Sequence, residues 1–241
     1  VIPAAEIVAW HDQMSTYLKE IDPFQHIRTT SISHRDLEGL NSVKNLDINQ
    51  KHIYNATHSV PGNIESYSKK FGKPYIIGEV GYEWDWSKNF DDFADGMNMD
   101  FRRGLWYGLF CPTPVTPMSW WWEWFDEHGM IPYIRNARLI SDMMLEAGDG
   151  RFEFLDTHKD GKAETYTVKC GKKTFVYVYN GNSTPLESAK IELGKTGKVK
   201  VSKLDTENAK LAKAVKVTAD GTITLSALGI APLEDAVFVI E

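Results

Sequence analysis

Through the first 150 residues the apolar positions keep switching between helical and extended spacing. Over residues 3–21, Ile7, Trp10, Met14, Tyr17, Leu18 and Ile21 recur near one face at helical period, and Asp22-Pro23 closes the run, so a first helix is predicted. Residues 26–33 (HIRTTSIS) are rich in β-branched side chains and read as a strand, followed by a polar loop through His34, Arg35 and Asp36. Residues 46–54 (LDINQKHIY) alternate as a second strand. Ser59-Val60-Pro61-Gly62 then leads into a short helix carrying Ile64, Tyr67 and Phe71, with Gly72 as its stop. Tyr75, Ile76 and Ile77 form a third, continuously apolar strand that ends on Gly78-Glu79-Val80-Gly81. Phe90, Phe93, Ala94, Met97, Phe101, Leu105 and Gly108 fall on one face of a long helix, which the prolines between 112 and 117 break. The run MSWWWEWF is a fourth strand candidate, and Ile134, Ala137, Ile140, Met144 and Ala147 mark a last helix closed by Gly148.

One helix followed by four strand-helix units predicts an α/β domain over residues 1–149, with a parallel sheet and right-handed helical crossovers. The helix that precedes the first strand has no strand to follow, which fits a chain cut midway through a longer series. The second half of a TIM (β/α)8 barrel, about four βα units, has this form. In such barrels the loops after the strands build the active site. Residues 31–34, 52–54, 79–86 and 120–123 are therefore expected to form one cluster.

From about residue 150 the pattern changes. Short alternating runs (ETYTVKC, KTFVYVYN, SAKIELG, KVKVSKLD, AVKVTAD, TITLSA, DAVFVIE) are separated by turn signals, among them Asp160-Gly161, Asn180-Gly181 and Asp220-Gly221. Residues 150–241 are thus predicted to be a small antiparallel β-sandwich, an accessory domain. It contains no Trp. It reads as a structural brace, although Phe175, Tyr177 and Tyr179 alternate and could offer a stacking face.

Composition narrows the function classes. A net charge of -6 without a basic run argues against nucleic acid as the main partner. No apolar run approaches the roughly 20 residues of a membrane span. Cys111 and Cys170 read as free buried thiols rather than a disulfide framework, and the scattered histidines, His11, His26, His34, His58, His128 and His158, show no metal-ligand spacing, so neither metal nor cofactor is expected. The chain opens on VIPAAEIVAWHD without an initiator Met, so natural sequence is expected upstream. Asn55-Ala56-Thr57 and Asn182-Ser183-Thr184 are glycosylation sequons, which matter only in a eukaryotic secretory pathway. Six of the eight Trp crowd into Trp84, Trp86 and the run from Trp120 to Trp124, a concentration that asks for a local reason.

That reason is sought beside Glu79. A carboxylate between two glycines, at the end of a buried strand, is placed as a catalytic acid held at the rim of a sheet would be. The bland alternative is a strand-end Glu paired with a cation or simply solvated. His52 and Tyr54 lie at equivalent places on the preceding strand and read equally well as core-lining residues with a satisfied polar tip. Aromatic rings give sugars flat apolar platforms, which would account for Trp84, Trp86, Trp121 and Trp122, whereas Trp120 and Trp124 fit plain core under the outer helices. Glu83, Asp85 and Glu123 could bond sugar hydroxyls, and Asp126 reads as a solvated charge.

These motifs resemble the retaining glycoside hydrolases of the large (β/α)-barrel clan that includes cellulases, β-mannanases and β-galactosidases. The likeness covers about residues 5–147. KPYIIGEVG resembles that clan's seventh strand, which implies that Glu79 is the nucleophile. KHIYN resembles the sixth, which puts His52 and Tyr54 at the sugar subsite. PMSWWWEWF resembles the eighth, with Trp121 or Trp122 as the floor beneath the sugar. VAWHDQMSTYLKEIDPFQHIRTTS is similar to the helix and strand that follow the fourth strand, whose Asn-Glu pair carries the acid/base. No Asn-Glu dipeptide occurs in these 241 residues, so the resemblance places the acid/base upstream of Val1.

The resemblance therefore implies a retaining glycosidase of β-linked poly- or oligosaccharide, of which this chain is a part lacking the acid/base and inactive alone. Its substrate-binding residues would be His52, Tyr54, Trp84, Trp121, Trp122 and Glu123. The alternative is a non-catalytic carbohydrate-binding or scaffold protein on a decayed barrel. A third reading, a complete small open-sheet enzyme, would pair Glu79 with Asp47 or Glu83. The expected partners are carbohydrate and either the missing half of the barrel or a second copy meeting exposed sheet edges. The sequence does not fix the compartment, and a secreted or periplasmic place suits the polysaccharide-degrading reading.

Overall fold

The computed structural model describes residues 2–33, 36–83, 85 and 87–241. These divide into two compact units: residues 2–108 with Pro112–Glu123, and Leu109–Cys111 with Trp124–Glu241.

The first unit is built around a parallel sheet in the order β1 (Asn49–Tyr54), β2 (Tyr75–Gly81), β3 (Met118–Ser119). Before β1 comes α1 (Ala4–Ile21), and α2 (Val60–Phe71) makes the crossover to β2. Gly72 ends α2 in the left-handed conformation, φ 63°, where a residue without Cβ carries no steric cost. After β2 the chain forms α3 (Ala94–Phe110), and Thr113 Oγ1 then ties the proline-rich return to the Tyr75 carbonyl. Tyr75 packs its ring on Tyr67 of α2, and Val80 lies against Gly104 of α3.

Two expected strands are corrected. Residues 26–33 carry no strand ladder; only Arg28 offers its carbonyl to the Asp47 and Ile48 amides, while its guanidinium holds the Asp47 carboxylate. A ladder needs a repeated series of such bonds, and this segment is largely exposed, with Ile27 facing solvent. The MSWWWEWF strand is limited to Met118–Ser119, and Trp122–Glu127 is a short helix, α4. Met118 and Ser119 pair with Glu79 and Val80 just where β2 ends, so the next residues have no neighbouring backbone and satisfy their amides within a helical turn. The second strand starts at Asn49, not 46, because Leu46 turns into a small cluster with Leu40 and Val43.

Helix α1 meets that cluster through Val8, and Asn45 bonds Thr16. Its apolar stripe points the other way: Trp10, Tyr17, Leu18 and Ile21 are each close to half exposed. The sequence pattern located the helix, but the stripe lacks a partner surface among the described residues.

The second unit holds α5 (Tyr133–Gly148) and one antiparallel sheet. Its strands are β4 (Glu153–Phe154), β5 (His158–Asp160), β6 (Ala163–Cys170), β7 (Lys173–Asn180), β8 (Leu186–Asp205), β9 (Lys210–Leu211), β10 (Val215–Ile230) and β11 (Asp235–Ile240). The order runs β10-β8-β11-β7-β6-β4, with β5 on β6 and β9 on β8. The pairs of runs expected as four strands are two long ones. Asp220-Gly221 is a bulge inside β10 rather than a hairpin, opposite a stretch of β8 in which Gly194 and Gly197 also take positive φ. Paired glycine irregularities let both strands bend together without parting. The bent sheet folds over a core of Val176, Val178, Leu186, Ile191, Val199, Ile223 and Phe238, with β6 facing β8. The other side of β6 and β7 is covered by α5, where Gly148 permits close approach to Cys170, and by Phe110 on Tyr177. Phe175, Tyr177 and Tyr179 are consequently buried and form no stacking face. Cys111 and Cys170 are free and buried, and burial raises the Cys170 thiol to about 11.

Candidate active site

Side-chain direction on β1 and β2 decides what the strand ends can do. On β1, Lys51 points toward α2, with its ammonium over the Tyr67 ring and on Asp36, so Gln50, His52 and Tyr54 share the opposite face. On β2, Tyr75 is on the helix side, and simple alternation through Ile77 would carry Glu79 to the helices as well. It does not go there. The parallel register runs Ile76 to Gln50 and Ile77 to Lys51, then jumps to Glu79 beside His52. Gly78 is the extra residue of a β-bulge, and the bulge turns Glu79 onto the face of His52 and Tyr54.

Glycine is what fits at this bulge. A Cβ on residue 78 would lie 2.8 Å from both Cδ and Nε2 of Gln50 and 3.1 Å from Nε2 of His52. Without it, Gln50 Nε2 sits 3.2 Å from His52 Nε2, and His52 Nδ1 sits 3.1 Å from Glu79 Oε2. The Tyr54 hydroxyl donates to the same Oε2. Burial, and next the Glu79 contact, push the Tyr54 phenol far above its ordinary value, so it remains a donor across the physiological range. The His52 side chain is 10% and that of Glu79 18% exposed, so the cluster is shielded yet reachable. Glu79 Oε1 accepts no hydrogen bond among the described residues. The carboxylate is held by one oxygen and leaves the other uncommitted.

The rim is fastened by Asn55, which takes a left-handed φ of 58° after β1. Its backbone N–H donates to the Gly81 carbonyl (2.8 Å), and its side-chain Oδ1 accepts from the Glu83 amide (3.0 Å). Asn tolerates this conformation better than most residues. Beyond Gly81, the Trp121 indole N–H donates to the Tyr82 carbonyl at 2.7 Å, and its ring meets Phe90 edge to face. A Cβ on Gly81 would come within 3.7 Å of Trp121, so that ring stands next to the end of β2.

Of the residues singled out in the sequence, Glu79, His52 and Tyr54 thus converge, with the Tyr54 hydroxyl bonded to Glu79 and His52 Nδ1 3.1 Å from the same oxygen, and Trp121 is fixed at the adjoining loop. Trp122 and Glu123 are exposed on the first turn of α4 and are not joined to the cluster by any hydrogen bond or ion pair among the described residues. Trp84, like Trp86, lies outside the described residues. The Asp85 carboxylate is spent locally on Ser87 and Lys88, which hold it down at about 2. No group of three or more His, Cys, Asp or Glu side chains that could hold a metal ion occurs among the described residues. Gln50, Asn55 and Gly78 were not singled out. Period-2 alternation back from Tyr54 and His52 reaches Gln50 and was the one signal available for it.

A carboxylate steadied by a phenol donor, with an imidazole close by and an aromatic ring at the strand end, can act as an oxygen nucleophile or an electrostatic stabiliser. No family profile matches the sequence, and no curated protein matches it. Solved structures do. A family 30 endoxylanase from Clostridium papyrosolvens matches 95% of this chain at 16% identity and a TM-score of 0.57, over 60% of its own length. A family 30 subfamily 8 xylanase from Clostridium acetobutylicum matches 100% of the chain at 11% identity and a TM-score of 0.64, over 61% of its length. A family 5 glycoside hydrolase from Bacteroides vulgatus matches 99% at 12% identity and a TM-score of 0.61. The chain therefore spans about three-fifths of the length of the two xylanases and has, over that span, the fold of glycoside hydrolases of the barrel class.

Proposed function

We propose that the chain is part of a retaining glycoside hydrolase acting on a β-linked poly- or oligosaccharide, with Glu79 as its nucleophile. The observation that carries this reading is the Glu79 carboxylate itself, with Oε2 accepting from Tyr54 and 3.1 Å from His52 Nδ1, and Oε1 open. In the reaction Oε1 attacks the anomeric carbon while the bond to the leaving oxygen breaks, and that oxygen takes a proton from a second carboxyl group. Water, deprotonated by the second group, then displaces Glu79 and restores the configuration. The Tyr54 hydroxyl spreads the negative charge of Glu79 without removing it, and Trp121 supplies the adjoining apolar wall, with Trp84 and, on the first turn of α4, Trp122 and Glu123 as further substrate contacts.

The second carboxyl group, roughly 5.5 Å from the nucleophile in a retaining enzyme, is assigned to chain beyond these 241 residues. In this reading residues 1–149 are the second half of a (β/α)8 barrel, residues 150–241 an accessory sandwich, and the remaining strand-helix units complete the sheet. Two facts support it. The matched xylanases are longer by about two-fifths of their own length, and the apolar stripe of α1 faces outward as the side of a helix meant to cover further strands would. The stripe suits a second copy of the chain as the covering partner when those units are absent. The chain by itself would then bind sugar without turnover, which is also what a scaffold built on a decayed barrel would do.

Labelling separates the two. In the complete enzyme an activated 2-fluoro glycoside should trap a covalent glycosyl ester on the peptide carrying Glu79, and Glu79→Gln should abolish both label and turnover. A label on another residue, or full activity in the variant, would sink the assignment.

A further inference from the structure

We infer that the second unit carries a saccharide-binding groove of its own, between β6 and the first half of β8. A concave space of about 430 Å³ opens there, within the size range of small-ligand sites. A smaller cavity of about 120 Å³ shares His158 and Lys190 with it, so the two form one elongated groove.

Strand alternation builds one wall. Ala163, Thr165, Thr167 and Lys169 share a face of β6, because Tyr166 stacks on Tyr177 and Cys170 meets α5 on the other face. Ala163 joins the apolar core with Ile191 and Ile223, and the next two positions on its face bring hydroxyls into the interior. Thr165 is 5% and Thr167 6% exposed, although Thr is seldom buried so fully. Neither hydroxyl has a hydrogen-bond partner among the described residues. A buried hydroxyl left unpaired is destabilising, and these two line the groove, Thr167 in its larger part and Thr165 in the smaller.

The facing groups are uncommitted as well. Lys190 and Glu192 stand two residues apart on β8 and, despite their opposite charges, make no ion pair or side-chain hydrogen bond among the described residues. The side chains of Asp156 and His158 are equally without partners there. Lys169 alone is engaged, through a 3.5 Å contact with Glu153.

That inventory selects the ligand. Lys169 and Lys190 balance Asp156 and Glu192, so the lining has no net charge with which to hold a phosphate, and no metal-binding group of His, Cys, Asp and Glu occurs among the described residues. What the groove offers is ammonium donors, carboxylate acceptors and hydroxyls that do both. Neighbouring hydroxyls of a sugar ring match this mixture, since each donates and accepts at once. Its length suits a short chain of sugar units. No Phe, Tyr or Trp lines it, so stacking adds nothing and the dissociation constant should be on the order of 1 mM. The choice of β-linked sugars as probes rests on the proposed glycosidase reading, whereas the groove does not depend on Glu79.

The test is a titration of the whole 15N-labelled chain with cellohexaose, xylohexaose and mannohexaose, and separately with inorganic phosphate, followed by backbone amide shifts. One of the hexasaccharides should move the Thr157, Thr167 and Lys190 amides together and saturably, and phosphate should not. Thr167→Val keeps the side-chain size and removes the hydroxyl, and it should weaken binding roughly fivefold. Glu192→Ala, which removes a charged acceptor, should weaken it about tenfold. Lys203→Ala, on the part of β8 that pairs with β11, should bind as the parent does. Amides remote from the groove report whether each variant is folded, and if Thr167→Val is not, the exposed Glu192 carries the test.

The inference is overturned if no hexasaccharide moves the groove amides, if phosphate saturates them instead, if the shifts are confined to residues around Glu79, or if folded Thr167→Val and Glu192→Ala bind like the parent. Glu79→Gln should leave groove binding unchanged. A failed 2-fluoro label at Glu79 would dismiss the nucleophile reading and leave this titration standing, so the two failures are distinct.

Discussion

Replacing Gly78 by Ala adds one methyl group at the point where the bulge of β2, the Gln50 amide and the His52 ring converge. The new Cβ would stand 2.8 Å from Cδ and Nε2 of Gln50 and 3.1 Å from His52 Nε2, inside van der Waals contact with all three. Gly78 is not among the glycines with positive φ, so Ala meets no backbone strain there and the cost is steric. Two terms oppose each other. Overpacking a filled site costs about 1–3 kcal/mol, with about 1 kcal/mol more if Gln50 swings off His52. Restricting the unfolded chain returns about 0.4–1 kcal/mol. The net loss is about 1–3 kcal/mol, or a fall in Tm of the first unit by very roughly 5–15 °C for a domain of this size. Seven of the eight Trp belong to that unit, so Trp fluorescence during heat or urea unfolding follows it.

Gly62→Ala is the matched control. It lies in α2 with no atom within 4 Å of its would-be Cβ, so the same change there should stabilise by about 0.5–1 kcal/mol through helix propensity. Opposite signs for the two variants are the expected result. If Gly78→Ala matches or exceeds the parent in stability while Gly62→Ala behaves as stated, the space at the bulge is not tight and the account of Gly78 is wrong.

Two further outcomes can be checked on the chain as it stands. Cys111 and Cys170 should both be silent toward a thiol reagent such as Ellman's under native conditions and both react once the chain is denatured, because the two are buried and burial raises the Cys170 thiol to about 11. The Tyr67 phenol, which donates to Asp36, is raised from 10.0 to about 12, by burial first and by that bond second. A raised folded-state value means that its contribution to stability is whole below about pH 10 and is lost as pH climbs through about 12. Alkaline unfolding followed over that window should therefore lose one component in Tyr67→Phe, and an unchanged profile would count against the Tyr67–Asp36 link.

The sequence by itself determined which segments became helices, because their apolar spacing and stop signals are local properties. α1, α2, α3 and α5 lie within a few residues of where periodicity put them, and Gly72 ends α2 as its backbone freedom allows. It also placed Glu79 at the end of an apolar strand, with His52 and Tyr54 two residues apart on the strand before. Strand lengths were another matter, since a strand exists only where a neighbour supplies its hydrogen bonds. Residues 26–33 and the Trp run look extended in isolation, but the first offers a single backbone carbonyl, that of Arg28, to Asp47 and Ile48, and the second runs past the end of β2. Alternation counted from Tyr75 would have turned Glu79 toward the helices. One extra residue in the register, Gly78, sends it to the opposite face, where Tyr54 takes hold of one oxygen and His52 Nδ1 lies 3.1 Å from it. Periodicity assigns a face only while the register is unbroken, and a break in register is a property of two strands together, which no single stretch of sequence contains.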